Sequence, residues 1–180
     1  MKEVQPIRDK QQIESMKTEL MKKSYRDYFL FLIGLNTGLR VSDILQLQVK
    51  DVRNKSYIVL NEKKTGKLKR FRINPELQNQ IEKYTHNMNE YDFLFRSKKG
   101  NKPISRVQAY RILNEAAERA GVEEVGTHTM RKTFGYHYYK KTKDIAILQE
   151  IFNHSAPSIT KKYIGITQDE IDESLDDFNL

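Results

Sequence analysis

Apolar residues recur along much of this chain every three or four positions, which is the spacing of one face of a helix. Residues 9–22 show this pattern first, and Asp9 is a candidate N-terminal cap. Residues 25–35 follow Ser24, a candidate cap, and are apolar enough to predict a core helix that ends before Gly38. Two further predicted helices have cap signals: residues 43–48 follow a cap at Ser42, and residues 106–120 lie between Ser105 and Gly121. Helices are also predicted over residues 75–87, 128–139 and 144–152, in a short segment just before Tyr163, and in the tail around 171–178.

Residues 52–73 follow a different pattern, because β-branched and aromatic residues stand on both sides of a Thr-Gly pair at 65–66. That arrangement predicts a β-hairpin with its turn at the glycine. A short strand is also predicted over Phe-Leu-Phe at 93–95. The fold class is therefore mainly α with a small antiparallel β-sheet, in a chain of 180 residues that can bury a substantial core.

Charge is distributed unevenly along the chain. All 32 Lys and Arg residues lie at or before Lys162, whereas six of the 24 acidic residues follow it. Residues 1–162 therefore carry +14 and the last eighteen carry −6, which gives the net charge of +8. A basic body of this size favours a polyanionic partner such as nucleic acid.

The absence of cysteine excludes disulfides, thiolate metal sites and a cysteine nucleophile. The four histidines include no close pair at helical ligand spacing with a carboxylate, so we expect no metal and no other cofactor. The longest apolar run, around residues 28–35, is too short to span a bilayer, and no secretory signal opens the chain. These features fit a cytoplasmic protein.

Six polar residues in a fixed order stand out for their combined chemistry, which comprises two guanidiniums, one ammonium, two imidazoles and, last, one phenol. Paired guanidiniums match the two non-bridging oxygens of a phosphate, since each offers a planar fork of donors. A tyrosine is a competent nucleophile once its proton is removed. The six residues are Arg40, Lys64, His128, Arg131, His154 and Tyr163.

The segments that carry these residues resemble the tyrosine recombinases, the family of phage integrases and Xer-type recombinases. The matching segments are TGLRVSD, NEKKTGKLKR, THTMRKTFG and IFNHSAPSITKKYIG, within a resemblance that spans roughly residues 7–165. It implies the catalytic-domain fold of these DNA breaking-rejoining enzymes and cleavage through a 3′-phosphotyrosyl intermediate, with Tyr163 as the nucleophile. It also implies that Arg40, Arg131 and the two histidines hold the phosphate and that Lys64 protonates the leaving 5′ oxygen. His128 would either donate to the phosphate or shuttle the proton of the nucleophile.

Residue types alone do not choose among the lysines of the hairpin. The resemblance favours Lys64, which stands just ahead of the turn glycine, and Lys67 is the next choice. Before His154, a Phe-Asn pair replaces the usual Leu-Gly of the family. Asn153 tolerates the left-handed backbone that a glycine would adopt there, so the second histidine box is retained.

Tyr163 is one of ten tyrosines, and Tyr138 and Tyr139 are the nearest alternatives to it in the sequence after the first histidine box. Most tyrosines are core or interface residues with a satisfied hydroxyl. The resemblance selects Tyr163, because it lies nine residues after His154 in the setting of the nucleophile of the family.

Asp43 occupies an acidic position of the family that supports Arg40. Basic and polar residues near the motifs are candidates for contacts to DNA, and those at the start of the 106–120 helix would read bases. Lysines beside Tyr163 would also favour its phenolate form. The candidate DNA-binding residues are Lys67, Arg106, Gln108, Arg111, Lys132, Lys161 and Lys162.

The chain divides into a catalytic domain over residues 1–166 and an acidic amphipathic tail helix over 167–180. Family members usually carry an N-terminal core-binding domain. A first helix near residue 9 leaves no room for it, so we expect either a short member or a fragment of a longer integrase. The tail is expected to pack on a neighbouring protomer of a homotetramer on DNA, or else to shield the basic groove of its own chain.

Three functions follow from these observations. The first is a site-specific recombinase or integrase of a bacterial or phage mobile element, which acts on double-stranded DNA without ATP. The second is a nicking-closing enzyme of the type IB topoisomerase kind, since the same chemistry without strand exchange relaxes DNA. The third is a non-catalytic DNA-binding protein derived from a recombinase, which the intact set of six residues disfavours.

Overall fold

A computed structural model describes residues 4–166 and 168–180, with side chains at all of these except 168 and 169. The described part is mainly helical with one two-stranded antiparallel sheet. Its elements are α1 (Lys10–Lys23), α2 (Tyr25–Thr37), α3 (Val41–Ile44), a 3₁₀ turn (Val49–Asp51), β1 (Tyr57–Asn61), β2 (Leu68–Arg72), α4 (Pro75–Thr85), α5 (Arg106–Ala120), α6 (Thr129–Thr142), α7 (Ile145–Phe152), α8 (Pro157–Tyr163) and α9 (Gln168–Asp176).

Helix α2 is the centre of the larger hydrophobic core. Its residues from Phe29 to Gly34 are buried, which matches its lack of a polar face. Helices α1, α4 and α6 pack around it, and α5 packs against α1. Gly38 ends α2 in the left-handed conformation, and a side chain there would collide with the ring of Phe134 on α6. The chain can therefore turn sharply into Arg40 while α2 and α6 stay close.

A second, smaller core lies under the last helices of the domain. It is formed by Tyr136, Leu148, Phe152 and Ile164, which come from α6, α7 and the end of α8. Gly135 permits this packing, since a Cβ on it would stand 2.6 Å from Ile164 and 2.7 Å from Phe152. The position of α8, and of Tyr163 at its end, depends on this core.

The hairpin pairs Tyr57 with Arg72 and Asn61 with Leu68, and its inner face buries Ile58 and Phe71. It also contacts the end of α7, where Lys69 Nζ donates to the Glu150 carbonyl over 2.6 Å. A lysine suits the negative end of a helix dipole. The hairpin loop is thus held between the helix that starts at residue 41 and the end of α7.

The tail helix α9 is joined to α6 by an ion pair between Glu170 and Lys140, whose Oε1 and Nζ lie 3.4 Å apart. Apolar residues of α9 and of the segment after it point into solvent, since the exposed fractions of Ile171, Leu175 and Phe178 are 41%, 61% and 66%. The predicted amphipathic helix is present over Gln168–Asp176, and residue 167, where the predicted tail begins, lies outside the described residues.

Most predicted elements are confirmed, including the caps at Asp9, Ser105 and Gly121 and the left-handed backbone of Asn153. Two predictions are wrong. Ser42 does not cap the short helix after the first arginine, because that helix begins one residue before it, with Arg40 at the cap. Residues 93–95 form no strand, since Phe93 makes only an isolated bridge to Gln48. In the part of the chain that is described, no helix is both long and apolar enough to cross a bilayer.

Candidate active site

Four of the six predicted residues line one cleft of about 410 Å³, at the meeting point of α3, the hairpin loop and the start of α6. These four are Arg40, Lys64, His128 and Arg131. The other two adjoin the cleft, because the Tyr163 hydroxyl reaches His128 and the His154 ring centroid lies 5.1 Å from that of Tyr163. The fold therefore brings all six into one site.

Arg40 is positioned by a buried carboxylate that the sequence did not reveal. Its Nη1 donates to Oε1 of Glu62 over 2.7 Å, and Glu62 is 1% exposed. Asp43, the expected support, does not fill this role. Its Oδ1 accepts from the backbone N–H of Lys63 over 3.0 Å, and its Oδ2 has no hydrogen-bond partner among the described residues. Asp43 therefore anchors the hairpin loop, whereas Glu62 holds the arginine.

Arg131 is buried and held by two backbone carbonyls. Its Nη1 donates to Gly38 over 2.6 Å and its Nη2 to Phe152 over 3.0 Å, while the guanidinium stacks 4.2 Å above the Phe152 ring. Burial lowers the pKa of Arg131 to about 10, which leaves it charged at neutral pH. A guanidinium has five N–H donors, so two carbonyl contacts leave others free for a phosphate.

Tyr163 and His128 are in direct contact in the site. The Tyr163 hydroxyl lies 3.2 Å from Nδ1 of His128. Burial raises the pKa of Tyr163, although the charges of Arg131 and Arg40 oppose the rise. Burial and the charges of Lys132 and Arg131 lower the pKa of His128. The phenol thus keeps its proton at neutral pH beside a neutral imidazole that can accept it.

His154 packs edge-on against the Tyr163 ring, with the two ring centroids 5.1 Å apart. Its Nδ1 is 2.9 Å from the hydroxyl of Thr160, on α8. Burial, followed by the charges of Arg131 and Arg40, lowers the pKa of His154. When Thr160 donates to Nδ1, the ring proton resides on Nε2, from which it can be donated to a phosphate oxygen.

Lys64 and Lys67 have different surroundings in the hairpin loop. Lys64 is exposed and lines the cleft, and its charge contributes to the lowered pKa of both histidines. Lys67 extends toward the end of α7, where its Nζ contacts Oδ1 of Asn153 over 3.3 Å. This contrast favours Lys64 over Lys67 as the proton donor.

The predicted DNA contacts on α5 separate into two groups. Arg106 lines the active-site cleft and is exposed, and Gln108 is exposed beside it. Arg111 instead lines a different pocket, together with Glu115 and Glu118. Only Arg106 therefore extends the cleft directly.

Three lysines near Tyr163 have surroundings that change part of what was expected of them. Lys132 is not placed for DNA contact, because it is 7% exposed, its Nζ donates to the Val4 carbonyl over 2.8 Å, and it lies 5.2 Å above the Tyr163 ring. Lys162 is exposed and Lys161 half-buried. The charges that favour the Tyr163 phenolate are those of Arg131 and Arg40 rather than of these two lysines.

Two residues of the site were missed from the sequence, Glu62 and Thr160. Neither belongs to a recognisable motif, and an acid at the end of a strand or a threonine in a short helix carries no signal of its own. Among the described residues, no three His, Cys, Asp or Glu side chains gather closely enough to hold a metal ion. The cations of the site are its arginines and lysines.

A buried phenol beside a neutral imidazole, within a cluster of donors suited to phosphate, defines a site for covalent phosphoryl transfer through tyrosine. Comparison with known proteins agrees with this class. Residues 8–170 match the phage integrase family. The chain belongs to that family.

Two relatives illustrate the range of similarity. The chain is 57% identical over 166 residues to the probable integrase/recombinase YoeC of Bacillus subtilis, covering 92% of both proteins. It is 28% identical over 174 residues to the tyrosine recombinase XerA of Pyrococcus furiosus, covering 94% of this chain but 60% of that protein. It therefore spans nearly all of the first relative and little more than half of the second.

Solved structures share the fold. A crystal structure of XerA recombinase superposes with a TM-score of 0.78 at 20% identity, over 97% of this chain and 65% of that one. A XerH site-specific recombinase bound to its difH substrate, in a post-cleavage complex, gives a TM-score of 0.71 at 20% identity, over 89% and 49%. The mainly helical fold with a small antiparallel sheet is thus that of tyrosine recombinase catalytic domains.

Proposed function

We propose that this chain is a site-specific DNA recombinase or integrase that cleaves and rejoins double-stranded DNA through a tyrosine. The observation that carries the proposal is the contact of 3.2 Å between the Tyr163 hydroxyl and His128, at the edge of a cleft lined by two arginines. The relatives are named as integrases and recombinases, which favours this function over relaxation alone or binding alone.

In the first step, Oη of Tyr163 attacks the scissile phosphorus in line. His128 Nδ1 accepts the phenolic proton, and the phosphorus–5′-oxygen bond breaks as the 3′-phosphotyrosyl bond forms. Arg40, Arg131 and His154 donate to the non-bridging oxygens, where negative charge increases in the transition state. Donors fixed in this way typically contribute about 3–4 kcal/mol each.

Lys64 donates a proton to the leaving 5′ oxygen. An ammonium near other cations has a lowered proton affinity, which makes it a better acid toward an alkoxide. The exposed position of Lys64 on the cleft supports this role, whereas the contact of Lys67 with Asn153 does not.

Rejoining reverses these steps with a 5′ hydroxyl from another strand. The phosphotyrosyl bond conserves the energy of the broken phosphodiester, so the reaction requires neither ATP nor a metal ion. Proton transfers are carried by His128 and Lys64, and charge is neutralised by the arginines. Because the substrate is chromosomal or mobile-element DNA of a bacterium or phage, we also place the reaction in the cytoplasm.

The proposed assembly is a homotetramer on DNA in which the tail helix of each chain packs on a neighbour. Ile171, Leu175 and Phe178 are exposed, which supports packing on a neighbour over shielding of the chain's own groove. A tail helix folded over its own groove would bury these apolar residues. Residues 1–166 then form the catalytic unit. The proposed DNA contacts around it are the exposed Arg106, Gln108 and Lys162 and the half-buried Lys161.

The experiment that tests the proposal uses the chain with a supercoiled plasmid and with pairs of labelled duplexes from mobile-element ends. Recombinant duplexes are expected from a recombinase. Relaxed plasmid without recombinant products would indicate a nicking-closing enzyme instead. Salt-sensitive binding without any covalent adduct would indicate a non-catalytic DNA-binding protein.

A further inference from the structure

The carboxylate of Glu62 bridges two parts of the candidate site. Its Oε1 accepts from Nη1 of Arg40 over 2.7 Å, and its Oε2 accepts from the hydroxyl of Thr65 over 2.9 Å. Glu62 itself is 1% exposed. The two oxygens of one buried side chain are therefore committed to different partners, one on α3 and one in the hairpin loop.

The backbone of Glu62 closes the same loop. Its N–H donates to the Lys67 carbonyl over 3.0 Å, and its carbonyl accepts from the Gly66 N–H over 2.7 Å. Lys64 lies between these contacts, so the position of its ammonium depends on the shape that they impose. Glu62 is thus linked to Arg40 by its side chain and to the loop that carries Lys64 by both its side chain and its backbone.

Burial of this carboxylate carries an energetic implication. A buried charge is costly unless it is paired and hydrogen-bonded, and removal of one partner leaves the other uncompensated. The cations Arg40, Lys64 and Arg131 all lie in this region, so their mutual repulsion would otherwise spread them apart. A negative charge held beneath them offsets that repulsion while the exposed side of the cleft remains cationic.

We propose that Glu62 is a positioning residue that fixes Arg40 and the Lys64 loop relative to each other. The phosphate clamp and the proton donor then move as one unit, which places the donor on the correct side of the phosphorus. This inference deepens the proposed function and rests on it. Glu62 touches no DNA in this account and acts only through the residues it holds.

The first test measures single-turnover cleavage of a nicked duplex at saturating DNA, together with the dissociation constant. We expect Glu62→Ala to lower the cleavage rate by about 100-fold, since displacement by about 1 Å costs that much. Its DNA affinity should stay within about threefold of wild type because the surface cations remain. Glu82→Ala, which removes an exposed acid from α4, is the matched control.

The conservative variant Glu62→Gln keeps both contacts, because its carbonyl can accept from Arg40 while its amide donates to Thr65. We expect it to recover most of the rate lost in Glu62→Ala. The proposal would be overturned if Glu62→Ala cleaved at the wild-type rate. It would also be overturned if the Glu82→Ala control lost as much cleavage rate as Glu62→Ala.

A modified substrate separates the two arms of the bridge. Sulfur in place of the bridging 5′ oxygen leaves as a thiolate, which needs no protonation because thiols have a pKa of about 8.5. Thr65→Val removes only the contact between Glu62 and the loop, so the cleavage rate that it loses on the normal substrate should be recovered on the sulfur substrate. Glu62→Ala should recover only in part, since Arg40 is still displaced. Full recovery of Glu62→Ala would remove Arg40 from the proposal and contradict it.

Hydrogen exchange provides a measurement that needs no activity. We expect faster exchange of the loop amides at Gly66 and Lys67 in Glu62→Ala, with unchanged exchange in α5. Equal exchange in wild type and variant would overturn the positioning role. If the wild-type chain forms no covalent adduct at all, the recombinase proposal fails, and the exchange result still decides whether Glu62 holds the loop.

Discussion

The hydroxyl of Tyr163, the last residue of α8, lies 3.2 Å from Nδ1 of His128, the N-terminal cap of α6. The two are 35 positions apart in the sequence. They meet because the small core of Tyr136, Leu148, Phe152 and Ile164 fixes α8 against α6. The contact between Tyr163 and His128 is therefore a product of packing between these helices.

The pH dependence of cleavage should reflect His128. Its pKa is lowered from 6.5, first by burial and then by the charges of Lys132 and Arg131. A proton acceptor works only when it is unprotonated, so the cleavage rate should rise with pH through a midpoint below 6.5 and be level at neutral pH. Single-turnover rates across the acid range and an NMR titration of the imidazole measure this midpoint.

Arg106→Ala provides the variant for this measurement, because the charge of Arg106 contributes to the lowered pKa of His128. Its removal should move the midpoint upward. Arg111→Ala on the same helix should leave it in place, since Arg111 lines a separate pocket. A midpoint above 6.5 in the wild type would argue against His128 as the acceptor.

Arg131→Lys is expected to impair both folding and catalysis. A single ammonium cannot reach the Gly38 and Phe152 carbonyls together, so one buried acceptor loses its donor at a cost of about 1–3 kcal/mol. Cleavage should fall by about 100-fold or more as a fixed donor to the phosphate is lost. Chemical unfolding and single-turnover kinetics measure the two effects.

Arg119→Lys is the control, because Arg119 is exposed on α5 and pairs only at the surface with Glu19. It should change neither quantity appreciably. An Arg131→Lys chain as stable and active as this control would show that the two carbonyl contacts are dispensable.

Sequence reasoning succeeded where the signal was local. Asp9 and Ser105 cap the starts of their helices and Gly121 caps the end of α5, as expected, and Asn153 adopts the left-handed conformation of the glycine it replaces. The order of the six motif residues likewise predicted which side chains meet. These signals depend on a few adjacent residues or on a family pattern, and both are visible in a single sequence.

The failures involve pairings between distant segments. Glu62 holds Arg40 from 22 positions away, and no periodicity or cap signals that contact. Lys132 was expected to face DNA, but the segment around Val4 packs on α6 and covers it. Residues 93–95 have strand-like composition but no partner strand in the described structure.

Lys64→Ala should abolish cleavage of a normal phosphodiester but spare cleavage of a duplex with a bridging 5′ sulfur. The reason is that only the oxygen leaving group needs a proton. Lys67→Ala should change the cleavage rate much less, because Lys67 contacts Asn153 outside the cleft. The rates on the two substrates, compared for both variants, test the assignment. A greater loss of cleavage rate in Lys67→Ala than in Lys64→Ala would make Lys67 the proton donor instead of Lys64.

Deletion of residues 167–180 distinguishes the two versions of the tail. If the tail packs on a neighbour, deletion should reduce tetramer formation on DNA and leave the affinity of single chains unchanged. If it shields its own groove, deletion should raise non-specific affinity at low salt. Exposure of Leu175 and Phe178 leads us to expect the first result. Analytical ultracentrifugation with duplex DNA, alongside binding at two salt concentrations, measures both.

The most direct test of the account is the covalent adduct itself. The chain is incubated with nicked suicide duplexes without added metal and then denatured, so that only covalent protein–DNA complexes migrate as a shifted band. We predict a band for the wild type and for Tyr139→Phe, and none for Tyr163→Phe. A band that persists in Tyr163→Phe would assign the nucleophile to another tyrosine and contradict the site described for this chain.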